Sequence, residues 1–193
     1  MNLLKFFIIF SLFNFSEVAR IKEPWKPKST SAKWKAIKCQ ADNKTIVLRY
    51  CYLKAYSRYV STANIGITLK TPIVKPFYCQ MIVNYRYGTI YRQYIDTKQR
   101  ELCSFLSGVD GHPLMTTSLA SVFDSVFDMI HECPYSGDLD FRNITYNDMG
   151  GHMESENMLI PRGTYRFDNI FYKNGKRVFY HNLTIEFTQP KDL

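Results

Sequence analysis

Residues 179–187 read Phe-Tyr-His-Asn-Leu-Thr-Ile-Glu-Phe, and this stretch indicates the fold most clearly. Its apolar residues Leu183, Ile185 and Phe187 are separated by single polar residues. Successive side chains of a β-strand point to opposite faces, so the pattern predicts a strand with one buried and one wet face. His181 shares the parity of the apolar residues. We expect it to be a core histidine with its hydrogen bonds made, rather than a metal ligand or a catalytic base.

The same alternation recurs along the chain. Strands are predicted at or near 46–56, 65–69, 77–85, 89–97, 99–106, 138–147, 164–172 and 179–187. Residues 173–176, Lys-Asn-Gly-Lys, predict a hairpin turn before the last strand. An aromatic content of 16% agrees with β structure, because flat rings pack well on pleated surfaces. We therefore predict a mainly β protein built as an antiparallel β-sandwich.

One segment departs from this alternation. Between Gly111 and Glu132 the apolar residues recur at intervals of three and four, as they do on one face of an α-helix. They are Met115, Leu119, Val122, Phe123, Val126, Phe127 and Ile130. Pro113 suits the first turn of a helix. We predict one amphipathic helix near 113–131, laid across an edge or an opening of the sandwich.

The first residues predict a secretory signal peptide. Lys5 precedes a short apolar run, 6–15, and small residues follow at Ser16 and Ala19. The run is too short to cross a bilayer as a helix, and no later segment has the length and apolarity of a transmembrane helix. We therefore expect a signal peptide at 1–19 and a secreted, extracellular mature protein without a transmembrane segment.

The positive charge of the chain is concentrated in one segment. The formal net charge is +8, but residues 20–38 contain seven Lys and Arg and only one acidic residue, Glu23. A basic segment followed by a nearly neutral body is not the pattern of a nucleic-acid-binding groove, so we expect no nucleic-acid partner. We expect residues 20–35 to form a solvated basic arm, with contact to an anionic surface as the alternative. Residues 36–190 should then form the sandwich domain.

Cysteines and glycosylation sequons fit an extracellular protein. The five cysteines are Cys39, Cys51, Cys79, Cys103 and Cys133. In an oxidising compartment, this odd number leaves one unpaired thiol or one intermolecular bond.

Asn-x-Thr sequons begin at Asn43, Asn143 and Asn182. We predict glycans at Asn43, which lies in a turn, and at Asn182, which faces outward on its strand. Asn143 has the parity of Leu139 and Phe141, so it needs a bulge or a strand end to reach solvent.

The sequence contains no recognisable catalytic or metal-binding pattern. It lacks a Gly-x-Ser-x-Gly elbow, a phosphate-binding glycine loop and a His-Glu-x-x-His motif. His131, Glu132 and Cys133 are adjacent, so their side chains point apart on a helix end and do not close a metal site. Asp138 and Asp140 lack the ligand-rich loop that calcium needs. We predict that the protein is not an enzyme and uses no metal or cofactor.

Several short motifs occur in an order that resembles a known family. They are Cys39 and Cys51 near the mature start, Glu101–Leu106 (ELCSFL), His131–Tyr135 (HECPY) and Pro161–Tyr165 (PRGTY). Over roughly 36–190 this order resembles a family of secreted insect proteins that includes the chemosensory protein B group. That family is similar to the ganglioside-activator branch of the ML lipid-recognition domains. The resemblance implies an immunoglobulin-like, ML-like β-sandwich with an apolar ligand cavity.

With this resemblance, we predict two disulfides and one free thiol. Cys39–Cys51 would close a hairpin across the turn at Asn43, and Cys103–Cys133 would pin both ends of the helical segment. Cys79 has no counterpart in the family pattern and alternates with apolar residues, so we predict a buried free thiol there.

Two functions from different classes follow. The first is a secreted carrier or presenter of a hydrophobic small molecule or lipid, such as a pheromone-like ligand in a chemosensory setting. The second is an extracellular interaction protein that modulates a cell-surface receptor or channel without a bound lipid. The alternation reports which face is buried but not whether the interior holds a cavity or a dry core.

For the carrier hypothesis, we predict the residues that line the cavity. The walls should be Ile67, Leu69, Met81 and Val83, with Leu183, Ile185 and Phe187 opposite. The helix should cover the mouth with Leu119, Phe123, Phe127 and Ile130, and Tyr165 and Phe167 should add aromatic lining.

Overall fold

The computed structural model describes residues 31–57, 60–106, 133–145 and 162–188. In these ranges the chain forms nine strands and one short helix. In chain order they are β1 (Ser31–Ala41), β2 (Ile46–Ala55), β3 (Ser61–Ile73), β4 (Tyr78–Tyr87), β5 (Ile90–Asp96), β6 (Arg100–Glu101), α1 (Leu102–Leu106), β7 (Tyr135–Ile144), β8 (Gly163–Lys173) and β9 (Lys176–Thr188).

The strands form two antiparallel sheets in a sandwich-like arrangement. The larger sheet has the order β1-β9-β8-β4-β5, and the short strand β6 also pairs with β4. The smaller sheet has the order β2-β3-β7. The inner faces of both sheets contribute to one hydrophobic core. The prediction of a mainly β, antiparallel sandwich is therefore confirmed.

The alternating stretches form the strands that the sequence predicts. On β9, Leu183, Ile185 and Phe187 are buried, and on β4, Met81 and Val83 are buried. The turn at 173–176 is also confirmed, because Asn174 and Gly175 both have positive φ angles, 52° and 71°, as a tight hairpin turn requires.

The central strand of the smaller sheet differs from a simple one-sided strand. Thr62 and Asn64 lie on the outer face of β3, yet both are only 3% exposed. The neighbouring strand β2 carries Tyr50 and Tyr52 in register with Gly66 and Asn64. The large side chains of β2 lie beside small residues of β3, which explains why this part of the outer face is shielded from water.

Two sequence predictions need correction. The prediction of a strand near 99–106 is wrong. Only Arg100 and Glu101 form a strand, which pairs with β4, and the helix α1 follows directly. The carboxylate of Glu101 accepts hydrogen bonds from the backbone N–H groups of Cys103 (3.3 Å) and Ser104 (2.7 Å), which stabilises the start of a helix.

The start of the domain is the second correction. β1 begins at Ser31, so residues 31–35 of the predicted basic arm belong to the larger sheet. The reason is Trp34, which is buried in the core and extends the first strand toward the N-terminus.

The other predictions for the chain ends and the helix concern residues outside the described ranges. These are the signal peptide at 1–19, residues 20–30 of the arm and the amphipathic helix near 113–131. Within the described ranges, no helix is long and apolar enough to span a membrane.

Candidate ligand site

The predicted cavity walls that the structure describes come together in one cluster. Ile67, Leu69, Met81, Val83, Tyr165, Phe167, Leu183, Ile185 and Phe187 are all buried on the inner faces of the sheets. Register pairs bring several into direct proximity, such as Phe167 with Leu183 and Tyr165 with Ile185. The predicted mouth residues Leu119, Phe123, Phe127 and Ile130 lie outside the described ranges.

The predicted division of the two walls is wrong in one respect. β4 belongs to the larger sheet, so Met81 and Val83 share a wall with the apolar residues of β9. Ile67 and Leu69 lie on β3 in the smaller sheet and form the other wall. Alternation along a strand shows which face is buried but carries no information about which sheet the strand joins.

Both predicted disulfides are present. Cys39 on β1 is bonded to Cys51 on β2, with a Cα–Cα distance of 6.2 Å, so this bond joins the two sheets. Cys103 in α1 is bonded to Cys133, just before β7, with a Cα–Cα distance of 5.7 Å. Cys79 is buried and forms no disulfide, as predicted.

A pocket of about 710 Å³ lies at the end of the sandwich next to the first disulfide. Leu48 of the smaller sheet and Phe179 of the larger sheet both line it, so the pocket reaches the inner faces of both sheets. The other lining residues are Cys39, Gln40, Ala41, Asp42, Asn43, Arg177 and Val178. Sequence reasoning missed this pocket. The sequence feature that could have predicted it is the pair of turns at 41–44 and 173–176, because these turns bring the lining residues to one end of the sandwich.

His181 lies on the inner face of β9, between aromatic rings. Its ring centroid is 6.1 Å from that of Phe171 and 5.6 Å from that of Phe179. Its Nδ1 atom is buried and has no hydrogen-bond partner, contrary to the expectation of a satisfied core histidine. Burial lowers the pKa of His181 to about 4, so the ring is neutral near pH 7.

Tyr165 is the one predicted wall residue with an ionisable side chain. Burial, together with the nearby Tyr85, raises its pKa to about 12. Its ring makes edge-to-face contacts with Tyr85, at 4.9 Å between centroids, and with Phe187, at 5.4 Å. The nine described wall residues that the sequence predicts are therefore uncharged near neutral pH, whereas the lining of the pocket beside Cys39 includes Asp42 and Arg177.

A polar cluster occupies the opposite, outer face of the larger sheet. Asp168 is buried there and accepts hydrogen bonds from Asn84 (2.6 Å), Arg166 (3.1 Å) and Tyr180 (2.8 Å). These donors satisfy the carboxylate, as a buried charge requires. Because its carboxylate is fully hydrogen-bonded within the protein, we interpret this cluster as a structural feature rather than as a reactive site.

The carboxylates of Asp138 and Asp140, which were considered above as calcium ligands, interact with protein side chains. Arg49 contacts both carboxylates, at 3.6 Å and 2.7 Å. Hydrogen bonds from Tyr50 and Arg49 hold the pKa of Asp140 below its ordinary value. Among the residues that the structure describes, no group of three His, Cys, Asp or Glu side chains is placed to hold a metal ion.

The three sequon asparagines lie in different environments. Asn43 is exposed in the turn between β1 and β2, with a φ of 59°. Asn143 is exposed near the end of β7. Asn182 is half-buried, and its Nδ2 donates a hydrogen bond to the hydroxyl of Tyr180 (2.9 Å).

No protein-family model matches this chain, and no curated protein sequence matches it.

Proposed function

We propose that this protein is a secreted, non-enzymatic carrier or presenter of a hydrophobic ligand, which it holds between the two sheets of an ML-like, immunoglobulin-like sandwich. The observation that carries the proposal is the pocket beside Cys39, because it opens onto the inner faces of both sheets through Leu48 and Phe179. The disulfide between Cys39 and Cys51 fixes the separation of the sheets at this end. Two disulfides also suit an oxidising, extracellular compartment.

The chemistry of the walls selects the ligand class. The described wall residues are aliphatic or aromatic, and Tyr165 stays neutral. The pocket beside Cys39 adds Leu48, Val178 and Phe179, and it also carries the charged side chains of Asp42 and Arg177. A charged group in such surroundings carries a large desolvation cost, so the buried part of the ligand is apolar. Each buried methylene contributes about 0.8 kcal/mol, so a chain of about ten carbons binds without a charged anchor.

A second candidate function is an extracellular interaction protein with a filled core. The hairpin of β4 and β5 favours it, because Tyr87, Ile90 and Tyr94 are all more than half exposed. Arg92 lies 5.5 Å from the centre of the Tyr87 ring. Exposed tyrosine and arginine side chains are typical of the residues that dominate protein–protein binding energy.

The substitution Val83→Trp separates the two functions. Val83 is buried on the inner face of β4 and belongs to the predicted walls, not to the lining of the pocket beside Cys39. An indole at this position therefore tests whether the ligand extends from the pocket into the space between the sheets. For a carrier, we expect Val83→Trp to abolish uptake of a fluorescent fatty-acid probe and to leave the melting temperature nearly unchanged. For a filled core, the larger side chain overpacks the interior and costs about 1–3 kcal/mol.

Tyr94→Trp is the matched control for this experiment. It adds an indole at a position of the hairpin that is 59% exposed, rather than in the buried core. We expect Tyr94→Trp to retain full uptake of the probe. A wild-type protein that takes up no probe, together with a clear fall in melting temperature for Val83→Trp, would contradict the carrier proposal and support the interaction protein.

A further inference from the structure

Two large aromatic side chains are exposed on the outer face of the smaller sheet. Tyr52 is 49% exposed and Tyr56, directly after β2, is 53% exposed. Both lie on the side of β2 that faces away from the core, as the register of Tyr52 with Asn64 indicates. We call Tyr52 and Tyr56 the tyrosine pair. Lys54 Nζ lies 4.7 Å from the centre of the Tyr56 ring, and the Tyr50 ring lies 5.9 Å from the Tyr52 ring, but about half of each side chain of the pair still contacts water.

A β-bulge brings Asn143 onto the same face. Ala63 pairs with Ile144 and Ile65 pairs with Phe141, so β7 has two residues, Arg142 and Asn143, opposite the single Asn64 of β3. Asn143 has a φ of 56°, in the left-handed region that asparagine tolerates better than most residues. Its backbone N–H donates to Oδ1 of Asn64 (3.0 Å), which fixes the bulge. The bulge removes the parity that would otherwise turn Asn143 toward the core.

The side chain of Asn143 is held with its amide nitrogen available. The hydroxyl of Tyr56 donates a hydrogen bond to Oδ1 of Asn143 at 2.9 Å, which brings the ring across β3 to the sequon. Among the described residues, none forms a hydrogen bond with Nδ2 of Asn143. N-glycosylation modifies Nδ2 and leaves the carbonyl oxygen in place, so the Tyr56 hydrogen bond is compatible with a glycan.

We propose that Asn143 carries an N-linked glycan whose first N-acetylglucosamine lies against the tyrosine pair and covers the outer face of the smaller sheet. In the transfer, a bond forms between Nδ2 of Asn143 and C1 of the sugar, and the C1–O bond to a polyprenyl-pyrophosphate oligosaccharide donor breaks. The polyprenyl pyrophosphate leaves with the bonding electron pair, and the amide proton passes to a base of the transferase. The apolar C–H face of the sugar then removes ring surface of the tyrosine pair from water.

The other sequons lack this arrangement. At Asn182, Nδ2 donates to Tyr180 within the half-buried cluster around Asp168, so a sugar there displaces packed polar groups. Asn43 is exposed in a turn, where its backbone carbonyl accepts a hydrogen bond from Nζ of Lys70, and no aromatic side chain of the described ranges forms a hydrogen bond with it. The Asn143 glycan is therefore the one that we expect to contribute to the stability of the fold.

The test uses full-length protein secreted from cultured insect cells, and it does not involve ligand uptake, so its outcome is independent of the carrier proposal. Thr145→Ala removes the sequon while it leaves Asn143 and the tyrosine pair intact, and Thr145→Ser is the matched control that retains the sequon. Glycopeptide mass spectrometry should find Asn143 occupied in the wild type and in Thr145→Ser. The melting temperature of Thr145→Ala should fall below that of Thr145→Ser by about 2–4 °C.

The melting temperatures of Thr145→Ala and Thr145→Ser are then compared in the double variant Tyr52→Ser, Tyr56→Ser. This comparison tests whether the glycan stabilises the fold through the two rings. We expect the difference between the two Thr145 variants to disappear there, because the sugar has lost its contact surface. An unmodified Asn143 in the wild type overturns the proposal. An equal loss of melting temperature with and without the tyrosine pair overturns it as well, because the glycan then acts without the rings.

Discussion

The indole Nε1 of Trp34 donates a hydrogen bond to the backbone carbonyl of Ile144, with a distance of 3.1 Å. Trp34 lies on β1 of the larger sheet and Ile144 on β7 of the smaller sheet, so this bond joins the two layers. Trp34 is only 2% exposed, and its own carbonyl accepts a hydrogen bond from the hydroxyl of Ser61 at 2.9 Å. A polar link inside the core is stronger than one at the surface because little water competes for its groups.

Substitution of Trp34 should therefore weaken the sandwich in two steps. Trp34→Phe keeps an aromatic ring but removes the donor to Ile144, and we expect a cost of about 1–3 kcal/mol in the free energy of unfolding. Trp34→Ala also leaves a cavity, and we expect a cost of about 3–5 kcal/mol. Urea unfolding followed by circular dichroism measures both values. Equal stability of Trp34→Phe and the wild type would show that the bond between the sheets contributes little.

Trp34 also shows what the sequence could and could not predict. Its neighbours Lys33 and Lys35 made this stretch resemble a solvated arm. In the structure Lys35 pairs with Glu186 at 2.8 Å on the outer face, while a bulge between Trp34 and Ala36 keeps the indole inside. A local count of charges does not reveal the face on which each residue lies.

The strands themselves were more predictable than their partners. In β4 and β9 the buried apolar residues Met81 and Val83, and Leu183, Ile185 and Phe187, lie at every second position, because they face the core. The sheet to which each strand belongs depends on pairing between distant segments. Alternation carries no signal for such pairing, so Met81 and Val83 were assigned to the wrong wall.

Gly66 provides a test of the outer face of the smaller sheet. A Cβ atom at this position would lie 2.5 Å from Cζ and 2.7 Å from Cδ1 of the Tyr50 ring. The hydroxyl of Tyr50 donates to Asp140 and accepts from Arg142, so the ring does not move aside freely. We expect Gly66→Ala to cost about 1–3 kcal/mol in unfolding free energy, measured by chemical denaturation.

A double-mutant cycle with Tyr50→Ala gives the control for this prediction. Without the ring there is space for the methyl group, so Gly66→Ala should become nearly neutral in the Tyr50→Ala background. The same cost in both backgrounds would mean that the ring is not the cause of the loss.

We predict that the carboxylate of Glu101 stabilises the first turn of α1. Burial raises the pKa of its carboxyl, but hydrogen bonds from Ser104 and from two other backbone N–H groups outweigh this effect and hold the pKa below its ordinary value. We expect Glu101→Ala to cost about 1–3 kcal/mol, because it leaves these N–H groups without their acceptor. Glu101→Gln retains one acceptor oxygen and should cost less. Thermal unfolding at pH 7 compares the two variants, and an equal loss for both would argue against the acceptor role.

The buried His181 should make the free energy of unfolding fall as the pH is lowered. The native state holds the pKa of His181 at about 4, compared with the ordinary value of 6.5, because the ring is buried. The unfolded state therefore binds a proton first as the pH falls. The stabilising contribution is fully present above about pH 6.5 and is lost progressively as the pH falls toward about 4, with a total of about 3 kcal/mol.

The variant His181→Phe should abolish this dependence. The neighbouring rings of Phe171 and Phe179 suit a third aromatic residue, and the unpartnered Nδ1 disappears. We expect urea denaturation between pH 7.5 and pH 4.5 to show a shallower loss of stability for His181→Phe than for the wild type. Parallel pH profiles for the two proteins would mean that other groups control stability in this range.

Native mass spectrometry of the secreted protein tests the central claim, that the space between the sheets holds a hydrophobic ligand, most directly. The spectrum is recorded before and after extraction with organic solvent, on protein whose glycans have been enzymatically removed. The carrier proposal predicts a discrete excess mass that disappears on extraction and is recovered in the apolar extract. A single mass equal to that of the polypeptide before extraction, combined with no uptake of the fluorescent fatty-acid probe, would contradict it.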